Sequence, residues 1–126
     1  MTESTEKERH DKVVRHIRDK NVGRFAVLDN LEGEKNFVGG IFPDLIFQDK
    51  KSGTTLFVLE VKRNGGIAQC LQQWKTLSNI PAVLYLIVPE AELVSAKSIA
   101  QVVGIHARFG TYKIDDNTNE VLVKYE

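Results

Sequence analysis

The sequence predicts an α/β domain in which a mixed β-sheet carries helices on both faces. Two apolar runs, Ile41–Phe47 and Thr54–Val61, flank a polar segment that contains Gly53, which is typical of an antiparallel hairpin. A third run, Ala82–Val88, is apolar throughout, as expected of a central or parallel strand. An amphipathic segment lies between the second and third runs, so these two strands are joined as in a right-handed βαβ crossover.

The N-terminal part of the chain predicts a helix followed by a strand. The helix runs from Thr5 to about Asn21, because its apolar side chains recur at steps typical of one helical face. The strand runs from Arg24 to Leu31. The stripe of the helix consists of Glu6, His10, Val13, Val14 and Ile17.

The remaining elements follow the central hairpin. A loop that begins at Arg63 leads into a helix from about Ile67 to Leu77, and a further helix runs from Pro89 to Val103, where Gly104 ends it. Two strands, Ile105–Ile114 and Val121–Tyr125, form a terminal hairpin. The stripe of the crossover helix predicts core positions at Ile67, Cys70, Leu71, Trp74 and Leu77.

Composition limits the classes of function. A chain of 126 residues has the size of one domain, residues 1–126, and its formal net charge of zero argues against a non-specific nucleic-acid coater. The single cysteine, Cys70, allows no intrachain disulfide, and the charged N-terminus does not resemble a signal peptide. No apolar run approaches the length of a membrane span, so we expect no membrane partner and a soluble protein of the cytoplasm. No phosphate-binding or dinucleotide-binding glycine motif is found in the sequence.

The central hairpin brings charged residues together. If its turn centres near Lys51 and Ser52, Asp44 lies opposite Glu60, with Cβ atoms about 4.5–5.5 Å apart. Lys62 shares a face with Glu60, because side chains alternate along a strand. Two opposed carboxylates repel each other unless a divalent cation such as Mg2+ lies between them. A lysine beside such an ion can orient a water or neutralise charge that develops on a phosphate, which predicts a metal-assisted phosphodiester hydrolase.

The motif resembles that of a known family. Pro43-Asp44, a gap of fifteen residues and then Glu60-Val61-Lys62 resemble the PD-(D/E)xK nuclease signature, whose superfamily includes restriction endonucleases and archaeal Holliday junction resolvases. The resemblance covers the order of elements from about residue 5 to residue 88. It implies a restriction endonuclease-like fold and a metal-dependent nuclease that acts on DNA in preference to RNA. The short chain is most similar to the small resolvase-type members, which implies a homodimer.

The resemblance also implies roles for the motif residues. Asp44 and Glu60 would ligate Mg2+ or Mn2+, with the carbonyl of Val61 as a third ligand. Lys62 would position the attacking water and stabilise the transition state at phosphorus. The alternative for Glu60 and Lys62 is a surface salt bridge, which the apolar run around them disfavours.

Three supporting residues are implied by the same resemblance. An acid on the first helix reaches the metal in many members of the family; Glu6 is the first candidate by its facing, and Glu8 and Asp11 are the others. The alternative is an acid that only compensates the helix dipole. A glutamine on the crossover helix touches the site in several branches, and Gln69 fits best, followed by Gln73. A polar helix flank without such a role is the alternative.

Two other functions stay open at this point. The first is a catalytically inactive nuclease-fold protein that acts as a nucleic-acid-binding or scaffolding subunit. The second is a domain that works only inside a larger complex whose other members supply affinity for DNA.

Overall fold

The computed structural model, which describes residues 2–63 and 65–126, contains six β-strands in one sheet and three α-helices. The helices are α1 (Thr2–Asn21), α2 (Leu71–Ser78) and α3 (Leu93–Val103). The strands are β1 (Ala26–Asp29), β2 (Leu45–Gln48), β3 (Thr55–Val61), β4 (Val83–Pro89), β5 (Arg108–Ile114) and β6 (Val121–Tyr125). A short 3₁₀ turn, Glu90–Glu92, joins β4 to α3.

The sheet is mixed, as the sequence predicts, and its strands lie in chain order from β1 to β6. β1, β2 and β3 pair antiparallel, β3, β4 and β5 pair parallel, and β6 returns antiparallel to β5. α2 therefore connects the parallel strands β3 and β4, and α3 connects β4 and β5. The α/β class and the expected crossover are confirmed.

The central hairpin has the predicted register. Phe47 lies opposite Phe57 and Leu45 opposite Leu59, so the next residue outward, Asp44, faces Glu60. The connecting turn contains Gly53 at φ 74°, a left-handed conformation that glycine adopts without strain. The two candidate metal-binding acids are thus brought together by the length of this turn.

β2 is shorter than the predicted run Ile41–Phe47, because regular pairing begins only at Leu45. Pro43 would face Val61 in an extended ladder, but proline has no N–H to donate, and its carbonyl accepts Nδ2 of Asn30 instead of the N–H of Val61. The carboxylate of Asp44 takes this place and accepts the N–H of Val61 at 2.7 Å. Ile41 instead forms an isolated bridge with Val38.

Helices cover both faces of the sheet, as predicted. α1 packs on one face, with Val13, Val14 and Ile17 against a cluster that includes Leu59 and Ile87. α2 and α3 pack on the opposite face, where a second apolar cluster is centred on the buried Trp74. Alternation along β3 places Val58 on the face of α2, and Glu60 and Lys62 belong to the same alternating set.

Several boundaries differ from the prediction. α1 begins at Thr2, three residues before the predicted start, and α2 begins at Leu71 instead of Ile67. The four residues before α2 form a separate turn in which the N–H of Cys70 donates to the carbonyl of Ile67. Trp74 is a core residue as expected, whereas Cys70 is only partly buried. Of the loop that starts at Arg63, Asn64 lies outside the described residues.

The predicted C-terminal elements are present, but α3 begins at Leu93 instead of Pro89 and β5 at Arg108 instead of Ile105. α3 ends at Val103, and Gly104 follows in the left-handed region at φ 77°, with its N–H bonded back to the helix carbonyls. β5 and β6 form the terminal hairpin, in which Ile114 faces Val121. Among the helices of the described chain, none combines the length and apolar character needed to cross a membrane.

Candidate active site

Asp44 and Glu60 meet at the end of the central hairpin. The main-chain N–H of Asp44 donates to Oε1 of Glu60 at 3.0 Å, across a sequence separation of 16 residues. The carboxylate of Asp44 is held by two further bonds, from the N–H of Val61 and from Nε2 of His10, and both end on Oδ2. The two acids therefore lie beside each other in fixed orientations.

Burial raises the pKa of Glu60 well above its ordinary value, and the negative charge of Asp44 raises it further. Two hydrogen bonds oppose this rise, one from the N–H of Asp44 and one from the side chain of Gln73. The ionised form of Glu60 is therefore costly in the absence of a compensating cation. A pair of crowded carboxylates with a shifted pKa is a common mark of a functional site.

The main chain of Val61 adds an oxygen to this group. Its N–H points toward Asp44, and in an antiparallel strand the N–H and C=O of one residue face the same neighbour. The Val61 carbonyl therefore faces the edge at which Asp44 lies. Two carboxylates and one carbonyl are the hard oxygen ligands that Mg2+ prefers, with water completing its shell.

His10 is a side chain of α1 that contacts Asp44. Its Nε2 lies 3.0 Å from Oδ2 of Asp44, and its Nδ1 lies 2.9 Å from Oδ1 of Asp11. Burial lowers the pKa of His10, but the hydrogen bonds and charges of the two aspartates outweigh this and raise it above its ordinary value. Asp11 is also bonded to Lys7, so a short polar chain leads from the surface of α1 to Asp44.

Lys62 is buried and fully engaged. Its ammonium group donates to Oε1 of Glu92 at 2.6 Å and to the carbonyls of Arg63 and Gly65 at 2.9 and 2.7 Å. The carbonyl of Lys62 accepts the hydroxyl of Tyr112 at 2.7 Å. Lys62 is thus fixed at both its main chain and its side chain, and its three N–H donors are directed to these three acceptors.

The charged groups of the site are close enough to act on one another. The thiol of Cys70 is within electrostatic range of Lys62, Glu60 and Glu92. Arg63 is exposed, and its charge reaches the imidazole of His10. Anionic and cationic side chains therefore share one edge of the sheet, with an exposed guanidinium at its border.

The implied supporting residues have different positions. Gln73, on α2, acts on the Glu60 carboxylate and lowers its pKa, whereas Gln69 lies on the exposed turn that precedes the helix. Glu6 acts electrostatically on the hydroxyl of Tyr112, while the contact from α1 to Asp44 comes from His10. Asp11, another candidate acid, reaches Asp44 only through His10.

Comparison of this chain with known families, proteins and structures gives no match. No protein-family model, no curated protein and no solved structure matches it significantly. Within residues 2–63 and 65–126, no group of three or more His, Cys, Asp or Glu side chains is arranged to hold a metal ion. A cation at this site would therefore rest on two carboxylates, a carbonyl and water.

The sequence did not predict a role in the site for three residues, His10, Glu92 and Arg63. His10 lies on the predicted stripe of the first helix, so its facing was available as a signal. Glu92 lies shortly after β4 and Lys62 directly after β3. Because the carboxyl ends of parallel strands meet at one edge of a sheet, this position was the signal that Glu92 lies near Lys62. Arg63 directly follows the Glu60-Val61-Lys62 motif, and this adjacency was its only signal.

Proposed function

We propose that this protein is a metal-dependent nuclease that hydrolyses phosphodiester bonds of nucleic acid, with DNA as the preferred substrate. The proposal rests chiefly on the pairing of Asp44 with Glu60, whose main-chain to side-chain bond of 3.0 Å joins residues far apart in the chain. A helix, three antiparallel strands, a crossover helix and a parallel strand follow one another in the order on which the resemblance depends. We accordingly propose the restriction endonuclease-like fold and the PD-(D/E)xK superfamily.

The donor set fits Mg2+ or Mn2+. Asp44 and Glu60 would hold the ion, and the Val61 carbonyl faces the same edge. The bonds from His10 and from the N–H of Val61 both end on Oδ2 of Asp44, so neither of them involves Oδ1. When bound, such an ion supplies positive charge against a phosphate and lowers the pKa of a water molecule. Ionised Glu60 is costly first because it is buried and second because Asp44 repels it, and the charge of the ion would offset both effects.

The protein's own residues prepare this site. His10 and the N–H of Val61 fix the orientation of Asp44, and Gln73 favours the ionised form of Glu60. Lys62 supplies the cation of the motif, and its ammonium group is paired with Glu92. A phosphate at the site would offer Lys62 a second anionic partner, and Arg63 would meet the backbone at the border of the site.

A cleavage assay with matched variants tests the proposal. Linear duplex, single-stranded and four-way-junction DNA and an RNA strand are incubated with Mg2+, Mn2+ or chelator. We expect cleavage with metal only, reduced to background in Asp44→Asn and Glu60→Gln. Asp116→Asn, which changes an exposed acid on the terminal hairpin, should cleave like the original protein.

The same proteins give a readout that needs no substrate. Mg2+ or Mn2+ should raise the melting temperature of the original protein and of Asp116→Asn, because a ligand that binds only the folded state stabilises it. Asp44→Asn should lose this rise. Equal cleavage by all variants would mean a contaminating nuclease, and an unchanged melting temperature in every protein would remove the metal site.

One observation favours a second candidate, a nuclease-fold protein that binds nucleic acid without cutting it. Lys62 has its ammonium committed to Glu92 and two carbonyls, so the motif lysine is not directed at a phosphate in this conformation. Such a protein would bind the oligonucleotides with the same affinity in the original form and in Asp44→Asn, with no metal-dependent cleavage by either. Sedimentation of both forms would also test the homodimer that the resemblance implies.

A further inference from the structure

An aromatic pair lies on the loop that leads into β2, with Phe37 exposed and Phe42 partly buried. Phe37 is 67% exposed, and its ring contacts that of Phe42 edge to face, with centroids 5.9 Å apart. A large apolar side chain exposed to this degree gains little from folding, because most of its surface stays in water. The pair therefore calls for a reason other than core packing.

Asn30 makes several of the hydrogen bonds that hold the loop carrying this pair. Nδ2 of Asn30 donates to the carbonyls of Asn36 and Pro43, at 2.8 and 2.6 Å. Its Oδ1 accepts the N–H groups of Lys35 and Asn36, and Asn36 in turn donates from its side chain to the carbonyl of Asp29. Phe37 is thus presented on an ordered segment of backbone.

The same asparagine connects the aromatic pair to the candidate active site. The two carbonyls that share Nδ2 of Asn30 belong to the residues directly before Phe37 and directly before Asp44. The side-chain amide of Asn30 therefore holds the backbone directly before Phe37 and also directly before Asp44, a candidate metal ligand.

A groove lies between Phe42 of the aromatic pair and the helix that carries Gln73. It has a volume of about 550 Å³ and is lined on one side by Gly40, Ile41 and Phe42. Its other wall is the polar side of α2 and the turn before it, and this wall includes Gln73, whose side chain lowers the pKa of Glu60. The groove thus lies between Phe42 and an α2 wall that consists of Gln69, Gln72, Gln73 and Thr76, and Glu34 also lines it.

We propose that Phe37 and Phe42 form a stacking platform for an unpaired nucleobase of the substrate. The substrate class is then nucleic acid with a single-stranded segment, such as a free strand, a flap or the strands at a branch point. This inference rests on the proposed function for its choice of a nucleic acid. A base inside a continuous duplex is already stacked on both faces and cannot lie on an aromatic ring without leaving the helix.

The charge distribution agrees with stacking as a source of affinity. The chain has a formal net charge of zero, so attraction to phosphates alone gives it little affinity. Base stacking on an aromatic side chain contributes about 1–3 kcal/mol per base and tolerates any sequence. The amide and hydroxyl groups of the groove can bond to sugar and base edges without a counter-charge.

Binding measured without cleavage tests the platform. Fluorescein-labelled oligodeoxythymidylate, oligouridylate and a blunt DNA duplex are titrated in chelator and in Ca2+, with fluorescence anisotropy as the readout. We expect Phe37→Ala to weaken binding of the single strands about tenfold or more and to leave the affinity for the duplex unchanged. Phe37→Trp should retain single-strand binding, because it restores a stacking surface.

A matched control removes an exposed apolar side chain elsewhere. Val102 on α3 is 86% exposed, and Val102→Ala should bind every probe like the original protein. All of these variants change exposed side chains, so their melting temperatures should match the original. The deoxythymidylate and uridylate arms show whether the platform takes DNA, RNA or both.

The outcomes separate this inference from the proposed nuclease. Equal single-strand binding by Phe37→Ala and the original protein overturns the platform, even where metal-dependent cleavage is found. The platform is also overturned if the original protein binds no probe, or if Phe37→Ala weakens single strands and duplex alike. Selective loss of single-strand binding without any cleavage supports the platform and rejects the nuclease.

Discussion

The ammonium nitrogen of Lys62 lies 2.6 Å from Oε1 of Glu92, although the two residues are 30 positions apart in the chain. The Lys62 side chain is 3% exposed and that of Glu92 is 21% exposed. The pair joins the end of β3 to the 3₁₀ turn after β4, so it fastens two parallel strands at the edge where the candidate site lies.

This ion pair should respond unequally to loss of its two partners. Glu92→Gln leaves a buried ammonium without its counter-charge, which costs roughly 3 kcal/mol of the free energy of unfolding. Lys62→Met should cost less, because Glu92 retains access to water. The double variant should be more stable than the sum of the single effects indicates, which urea denaturation at neutral pH would measure as a coupling energy. Additive effects would show that the two groups do not interact in solution.

Glu60→Gln should stabilise the metal-free protein and abolish its response to metal. The substitution keeps an acceptor for the N–H of Asp44 but removes one of two repelling charges. We expect a gain of up to about 1 kcal/mol and a melting temperature a few degrees higher in chelator. Thermal scans with and without Mg2+ would measure both effects, with the exposed Glu120→Gln as control. A less stable Glu60→Gln in chelator would contradict the repulsion inferred from the geometry.

Gln73 and Gln69 should differ in their effect on metal affinity. Gln73 acts on the carboxylate of Glu60 and lowers its pKa, so Gln73→Ala removes a side chain that favours the ionised form of a proposed ligand. Loss of such a partner weakens metal binding by about 10–100-fold in known sites. Gln69 is exposed on the turn before α2, and Gln69→Ala should leave affinity unchanged. A Mn2+ titration followed by melting temperature compares the two, and a larger loss in Gln69→Ala would reverse this assignment.

The fold was largely predictable from its local patterns. Alternation along the central strands and a turn with Gly53 determined the register that places Phe47 opposite Phe57. The start of β2 was not predictable in this way. It depends on a side chain, the Asp44 carboxylate, replacing a main-chain partner of Val61.

The candidate site was predictable only where local geometry determined it. Asp44 and Glu60 share one hairpin, so counting residues from the turn was sufficient to pair them. Glu92 reaches Lys62 through the parallel register of β3 and β4, which no local pattern specifies. His10 reaches Asp44 because of the way α1 packs on the sheet. The rotation of α1 about its axis depends on the whole core cluster around Val13 and Ile17.

Gly110 should tolerate no side chain. A Cβ atom at this position of β5 would lie 2.8 Å from the carbonyl oxygen of Lys124 and 2.9 Å from Cδ1 of Ile87. The carbonyl belongs to β6, which is paired with β5, so it cannot withdraw without disturbing the ladder. Gly110→Ala should therefore lower the free energy of unfolding by about 1–3 kcal/mol. Gly23→Ala is the matched control, because nothing lies within 4 Å of its added Cβ, and chemical denaturation should find it close to the original protein.

Tyr112 should make the protein sensitive to alkali. Burial, with smaller contributions from the charges of Glu92 and Glu6, raises the pKa of its hydroxyl from 10.0 to about 12. The folded state thus holds this proton more tightly than the unfolded state does. The stabilisation is complete below pH 10 and is lost as the pH rises from 10 to about 12, because only the unfolded chain ionises readily in that range.

The expected loss across this interval is roughly 2–3 kcal/mol at most, from a shift of about two pKa units. Urea denaturation at a series of alkaline pH values would measure it. Tyr112→Phe removes the hydroxyl and its bond to the Lys62 carbonyl, so the variant should be less stable at neutral pH but should lose less stability between pH 10 and 12. An equal alkaline loss in both proteins would assign the sensitivity to other groups.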